Sequence, residues 1–292
     1  MAWRQFVMHL DTLQPERVEE VFANHGADAI TYTDAGDDPV LEPGPGETPL
    51  WQRSCISGLF PQDTDLALLH DDLLRSLDLD CLPQFHVETL VDRDWEREWL
   101  KDFRAMQFGR RLWVIPADSE IDDDDAVVVR LDPGLAFGTG THATTRLCLE
   151  WLDGLDLRGK HLLDYGCGSG ILSIAALKIG ASSVTALDID PQAITATHRN
   201  AARNDTLRGL TTLSDPAGLK GPYDVVIANI LAKPLMELAE RICSCTAVGS
   251  GLALSGILRH QADAVMQAYR PWIEFAPVVT RNGWVRLSGV KS

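Results

Sequence analysis

The chain lacks any apolar run approaching the ~18 residues that would cross a bilayer as a helix, so a helical membrane protein is not expected. Its opening residues, Met1-Ala2-Trp3-Arg4-Gln5-Phe6, lack the long apolar segment of a secretory signal, and a cytoplasmic location is the expectation. None of the six cysteines (Cys55, Cys81, Cys148, Cys167, Cys243, Cys245) forms a Cys-x-x-Cys pair, which makes reduced thiols the simplest reading. Cys243 and Cys245 are too close for a zinc knuckle and no histidine cluster accompanies them, so no metal is expected. Positive charge is also scarce, with 26 Lys and Arg against 42 Asp and Glu and a formal net charge of −16.

That scarcity is uneven. Residues 1–104 hold 22 Asp and Glu against 8 Lys and Arg, a net of −14, whereas the remaining 188 residues hold 20 against 18, a net of −2. An acidic front part repels phosphate backbones and steers basic partners toward itself. Nothing in Leu50-Trp51-Gln52-Arg53-Ser54-Cys55-Ile56 resembles the basic-aromatic stretch on which RNA bases stack. The acidity reads either as a device for solubility or as a face for a basic macromolecule; the latter is the expectation, with no stable nucleic-acid binding and no membrane.

At 292 residues the chain has room for two domains. Residues 1–90 parse as strand (Trp3–Leu10), helix (Pro15–His25), strand (Ala29–Thr33), strand (Trp51–Phe60), helix (Asp63–Leu77) and strand (Phe85–Leu90). This βαββαβ order is that of a ferredoxin-like sandwich. Residues 91–106 read as a linker whose charged stretch Asp92–Phe103 forms a short helix with Trp95 and Trp99 on one face. Asp122 to Asp125 reads as a solvated turn, since four adjacent carboxylates are not calcium-loop spacing. From Val127 strands and helices alternate, and Asn282-Gly283 marks a hairpin between Ala276–Thr280 and Trp284–Ser288. Residues 107–292 are thus expected to form an α/β domain, a doubly wound parallel sheet closed by an antiparallel edge hairpin.

What is abundant at the centre is glycine. Leu162-Leu163-Asp164-Tyr165-Gly166-Cys167-Gly168-Ser169-Gly170 runs from a strand through a tight turn into the helix Ile171–Ile179. That arrangement cradles nucleotide-like ligands. Asp188 follows at the end of a second strand, where a carboxylate can accept both hydroxyls of a ribose. The spacing is Gly-x-Gly-x-Gly, with Ile171 standing where the third dinucleotide glycine would be needed, and Asp164 precedes the turn. Both details resemble the first motif of S-adenosylmethionine-dependent methyltransferases more than a dehydrogenase fingerprint.

Two further groups fall at strand ends, where ligands collect in such sheets. Asn229 follows the apolar run Val225-Val226-Ile227-Ala228, and an amide oxygen there can accept N–H bonds and aim a nitrogen lone pair without supplying charge. The alternative for Asn229 is a cap of the helix read at Pro234–Cys243. His142, in Phe137-Gly138-Thr139-Gly140-Thr141-His142, is a candidate for proton handling or acceptor placement, and otherwise a structural histidine of a glycine-rich loop. Methyl transfer to a lysine nitrogen would also require loss of the ammonium proton, whose pKa is ~10.4 in water.

Leu131-Asp132-Pro133-Gly134-Leu135-Ala136-Phe137-Gly138-Thr139-Gly140-Thr141-His142, the glycine run, Asp188-Ile189-Asp190-Pro191 and Ala228-Asn229-Ile230-Leu231 together closely resemble the bacterial PrmA family, over the whole chain. The resemblance implies a doubly wound seven-stranded, Rossmann-like methyltransferase domain behind a small ferredoxin-like α+β domain that grips the substrate. It implies S-adenosyl-L-methionine as cofactor. It also implies methylation of lysine side chains and of the N-terminal amine of large-subunit ribosomal protein L-eleven. Carried over residue by residue, Thr145, Gly166, Asp188 and Asn229 contact the cofactor, and Asp164 and Gly168 belong to the same motif. Phe137 and His142 place the substrate, and these two with Asn229 are the expected catalytic residues. Ala143 and Lys233 depart from the proline and glycine usual in the family. Methylation of RNA or a small molecule, a dehydrogenase, and a cofactor-sensing module without chemistry are the competing readings.

Overall fold

A computed structural model describes residues 2–36, 53–91, 104–117, 119–131 and 140–292. The expected helix at Asp92–Phe103, Trp51 and the Phe137 loop lie outside these described residues. The chain divides into two compact units, Met1–Trp95 and Glu96–Ser292. Among the described residues no helix is long and apolar enough to cross a membrane, and no group of His, Cys, Asp or Glu is disposed to hold a metal ion.

In the first unit, β1 (Ala2–His9), α1 (Pro15–Asn24), β2 (Ala29–Asp34), β3 (Ser54–Pro61), α2 (Leu66–Leu77) and β4 (Phe85–Val91) follow the expected order. The sheet runs β2-β3-β1-β4, every pair antiparallel. Pro15 opens α1 at a position where its missing N–H costs nothing. The Asp65 carboxylate accepts from the Ala67 and Leu68 amides to start α2, and Leu66, Leu69, Leu73 and Leu77 recur on its buried face. Phe22 of α1 meets Phe6 and Phe60 of the sheet edge-on, with centroids 5.9 and 5.5 Å apart. Each of these rings is essentially fully buried, a contribution of roughly 1.5–3 kcal/mol apiece.

The second unit is built on an eight-stranded sheet. Its path is β10 (Leu210–Leu213), β9 (Ser183–Leu187), β8 (His161–Tyr165), β11 (Tyr223–Asn229), β12 (Thr246–Leu258), β15 (Trp284–Lys291) and β13 (Ile273–Phe275), with β14 (Val279–Arg281) paired to β15. The first five strands are parallel and β15 is antiparallel to its neighbours. The central strands are apolar on both faces, and their alternation divides the core. Leu162, Val184, Val225, Ile227 and Ala253 face one layer, whereas Leu163, Leu187, Val226, Ala228, Leu252 and Leu254 face the other. The first layer is covered by α3 (Ala143–Asp153) and α4 (Ile171–Ile179), with α5 (Pro191–Arg203) beside α4; the second is covered by α6 (Ala232–Glu237), α7 (Ala239–Cys245) and α8 (Ala262–Tyr269).

Four expectations need correction. Val127–Leu131 is β7 and does not join the main sheet. It pairs parallel with β6 (Leu112–Pro116), which pairs antiparallel with β5 (Met106–Phe108), and this separate sheet packs Phe108, Leu112, Val114, Val129 and Leu131 into the α3–α4 layer. The helix read at Pro234–Cys243 is two helices, because the Leu238 amide closes the first by bonding back to Met236 and Pro234. Of the strands expected after Val127, the one on the apolar run Gly251–Ser255 extends over the full length of β12. The hairpin turn at Asn282-Gly283 has both residues at positive φ, as a tight primed turn demands, yet β15 lies inside the sheet and β13 is the edge. Asp122–Asp125 is an exposed turn as expected, with the Asp125 amide bonded to the Asp123 carboxylate.

Candidate active site

Strands β8 and β11 are neighbours, and the chain winds outward from them in opposite directions, β8 to β9 and β10 on one side and β11 to β12 on the other. Such a reversal opens a crevice at the carboxyl ends of the strands. The ladder pairs Asp164 with Ile227 and Tyr165 with Ala228. The glycine turn after β8 and Asn229 at the end of β11 therefore rise side by side at that point.

The turn needs its glycines. Gly166, Gly168 and Gly170 all have positive φ, and a Cβ on Gly166 would collide with the Ile230 Cγ2 atom. Backbone amides of Gly166 and Cys167 both donate to the Leu187 carbonyl, tying the turn to the end of β9. From α5, Thr197 Oγ1 donates to the Gly168 carbonyl at 3.0 Å and Asn200 Nδ2 to the Ser169 carbonyl at 2.9 Å. Those two residues were not singled out in the sequence. Their signal is polar side chains buried on the inner face of an otherwise polar helix.

Asp188 sits one residue beyond β9. Its carboxylate accepts from the Gly168 amide at 2.9 Å and, through the other oxygen, from the Asp190 amide at 3.0 Å. Two of roughly four acceptor positions are thereby used to fix its orientation, leaving capacity for hydroxyl donors. Ile189, beside it, is 80% exposed. An apolar side chain held open next to a carboxylate suits the flat face of a base, and this residue too escaped the sequence reading.

Asp164 is fully buried, and Ser173 Oγ donates to its Oδ2 at 2.7 Å. Its Oδ1 has no partner among the described residues. Burial pushes the carboxyl up to about 7, against the lowering effect of Ser173. Asn229 is comparable: Nδ2 donates to Thr145 Oγ1 at 3.4 Å, while Oδ1 is buried without a partner among the described residues. It does not cap the following helix, whose N-cap is Leu231. Thr145 belongs to the first turn of α3, capped by His142, and His142 lies edge-on to Trp284 with centroids 4.8 Å apart. Burial holds the imidazole below its ordinary pKa.

The described site residues thus gather at one crevice in two groups, with Asp164, Gly166, Gly168 and Asp188 around the turn and His142, Thr145 and Asn229 beside it. Phe137 lies outside the described residues. Two buried oxygens without donors among the described residues, a spare carboxylate and a turn with no room for a side chain fit a ligand carrying hydroxyls, a flat ring and a cationic group. None of the described groups is a strong base or an activated nucleophile; all six cysteines are free thiols, and burial raises Cys167 far above its usual range.

Comparison with known proteins gives a consistent result. The family described as Ribosomal protein L11 methyltransferase (PrmA) matches residues 2–292. A Methylococcus capsulatus protein named Ribosomal protein L11 methyltransferase is 49% identical over 291 residues, 99% of each chain. A Pseudomonas aeruginosa protein of the same name is 47% identical over 292 residues, 99% of this chain and 98% of its own. Among solved structures, a ribosomal protein L11 methylase from Lactobacillus delbrueckii subsp. bulgaricus is 31% identical, with a TM-score of 0.61 over 65% of this chain and all of its own.

Proposed function

The chain belongs to the ribosomal protein L11 methyltransferase (PrmA) family, and on that premise we propose that it transfers methyl groups from S-adenosyl-L-methionine to lysine side-chain and N-terminal amines of that ribosomal protein. The observation that carries the reading is Asn229 Oδ1, a buried amide oxygen without a partner among the described residues, at the end of the strand next to the glycine turn.

S-adenosylmethionine, when bound, supplies a methyl group made electrophilic by its sulfonium. The residues present fit that molecule. The spare acceptor capacity of Asp188 suits the two ribose hydroxyls, Ile189 the adenine face, and the glycine turn with the buried Asp164 carboxyl the cationic amino-acid end. Thr145 holds the Asn229 amide so that Nδ2 is occupied and Oδ1 remains available to a substrate N–H. An amide oxygen orients a neutral amine without stabilising its ammonium form as a carboxylate would. Positioning and exclusion of water are then the main contributions of the protein, and burial of the arriving lysine lowers its pKa toward the neutral form.

The acidic front of the chain supports a further part of the proposal, that the first unit recognises the substrate. Residues 1–104 carry a net −14, and ribosomal proteins that fold against RNA are basic. The same charge disfavours RNA as substrate. Transfer of label from methyl-labelled S-adenosylmethionine, offered unmethylated L11 and ribosomal RNA together, tests the reading. Label on the protein supports it, and label on RNA alone would replace it with the RNA reading.

A further inference from the structure

We infer that His142 is held by its own helix cap as the neutral tautomer with the proton on Nε2, and that Thr144 is the residue that positions it. His142 is the N-cap of α3, with extended backbone at φ −69° and ψ 140°. The Thr144 backbone amide donates to its Nδ1 at 3.4 Å. A backbone N–H can only donate, so Nδ1 must present a lone pair. Thr144 Oγ1 lies 2.8 Å from the same nitrogen. With Nδ1 unprotonated, that hydroxyl is the donor of the shorter bond.

The protonated ring is disfavoured on independent grounds. An imidazolium would turn an N–H at Nδ1 against the amide N–H of Thr144. It would also place a cation at the N-terminus of an eleven-residue helix, where the backbone dipoles favour negative charge. Burial acts in the same direction. The edge of Trp284, 71° from the ring plane, limits rotation of the imidazole. The remaining nitrogen therefore carries the proton.

This assignment narrows the two roles that the sequence left open. Nδ1 is committed to the cap and Nε2 already bears its proton, so the ring is not set to collect the proton of an incoming ammonium. Of the two roles, substrate placement is the one that a ring with its proton on Nε2 can still serve. Thr144 acts through His142 and is a positioning residue, one helix position before Thr145, which acts through Asn229. The link to turnover rests on the methyltransferase reading; the tautomer does not.

The test is nitrogen NMR of histidine-labelled full-length protein at mildly alkaline pH, for wild type, Thr144→Val and Thr144→Ser, with His142→Gln to assign the signal. The expected wild-type spectrum has Nδ1 unprotonated and Nε2 protonated. Thr144→Val, which keeps the shape and loses the hydroxyl, should give a mixed tautomer population, and Thr144→Ser should restore the single one. Turnover on the ribosomal protein should fall about fivefold in Thr144→Val, the worth of one ordinary hydrogen bond, with cofactor affinity unchanged, and should recover in Thr144→Ser. A wild-type ring protonated at Nδ1 would overturn the inference, even if Thr144→Val failed to fold. So would a folded Thr144→Val protein with an unaltered His142 spectrum. Absence of protein methylation by every form would remove the proposed function and leave the tautomer pattern to decide this inference alone.

Discussion

The carboxamide of Asn229 donates through Nδ2 to the hydroxyl of Thr145 at 3.4 Å, and its own Oδ1 remains buried with no partner among the described residues. A buried carbonyl without a donor costs ~1–3 kcal/mol. The cost would disappear if a ligand supplied the N–H, and under the proposed function that ligand is the substrate amine.

Asn229→Ala is accordingly expected to slow single-turnover methylation of the ribosomal protein on the order of tenfold or more, from loss of one buried hydrogen bond. Cofactor affinity measured by calorimetry should change less. A variant methylating at the wild-type single-turnover rate would remove Asn229 from acceptor placement.

Asp188→Ala removes acceptors assigned to a ribose along with those serving the Gly168 and Asp190 amides. Charge-assisted bonds of this kind are worth ~1.5–3 kcal/mol, so the dissociation constant for S-adenosylmethionine should rise at least about tenfold. Calorimetry on a variant with native thermal unfolding decides it, and unchanged affinity would end the ribose assignment.

Asp164 makes the stability of the ligand-free protein depend on pH. Burial raises its carboxyl to about 7, above the unfolded value of ~3.9. Between those values the folded state holds a proton that the unfolded state has released. Its contribution is therefore complete below pH ~4 and is lost as pH rises through the folded pKa, with a slope of at most about 1.4 kcal/mol per pH unit. Asp164→Asn abolishes the titration and keeps an acceptor for Ser173. Denaturant unfolding of both proteins from pH 5 to 7.5 should show wild type losing stability relative to the variant. A pH-independent difference between them would contradict the buried, proton-holding carboxyl.

The charge of the front part predicts the effect of salt. With a net −14 in residues 1–104 facing a basic substrate, kcat/KM on the ribosomal protein should fall as ionic strength rises and the Debye length shrinks toward ~8 Å. Cofactor affinity should respond far less. A flat kcat/KM across the same salt series would exclude electrostatic capture by this part of the chain.

Much of this architecture is legible locally. Leu66, Leu69, Leu73 and Leu77 declare α2 by spacing alone, and Asn282-Gly283 declares a turn by its demand for positive φ. Gly166, Gly168, Gly170 and Asp188 declare the crevice because strand-end chemistry is concentrated in a few contiguous residues. What stayed hidden depends on distant partners. The turn Gly109–Arg111 between β5 and β6 is held by Asp153 at the end of α3, whose Oδ2 accepts from the Arg110 amide at 2.6 Å, and no local pattern encodes that bond. The short β10 and β13, of four and three residues, carry too few positions to display a period. Ser173 under Asp164, and Thr197 and Asn200 under the glycine turn, read as ordinary helix residues until the helices are docked.

The central claim is that this crevice methylates amines of a ribosomal protein. Unmethylated L11 incubated with the enzyme and S-adenosylmethionine, then analysed by intact mass and peptide mapping, tests it most directly. The account predicts successive methyl-sized increments confined to lysine Nζ atoms and the N-terminal nitrogen, with the increments largely lost for Asn229→Ala. Methyl groups on carboxylate, arginine or histidine side chains, or an unmodified protein in the presence of a folded enzyme that binds the cofactor, would contradict it.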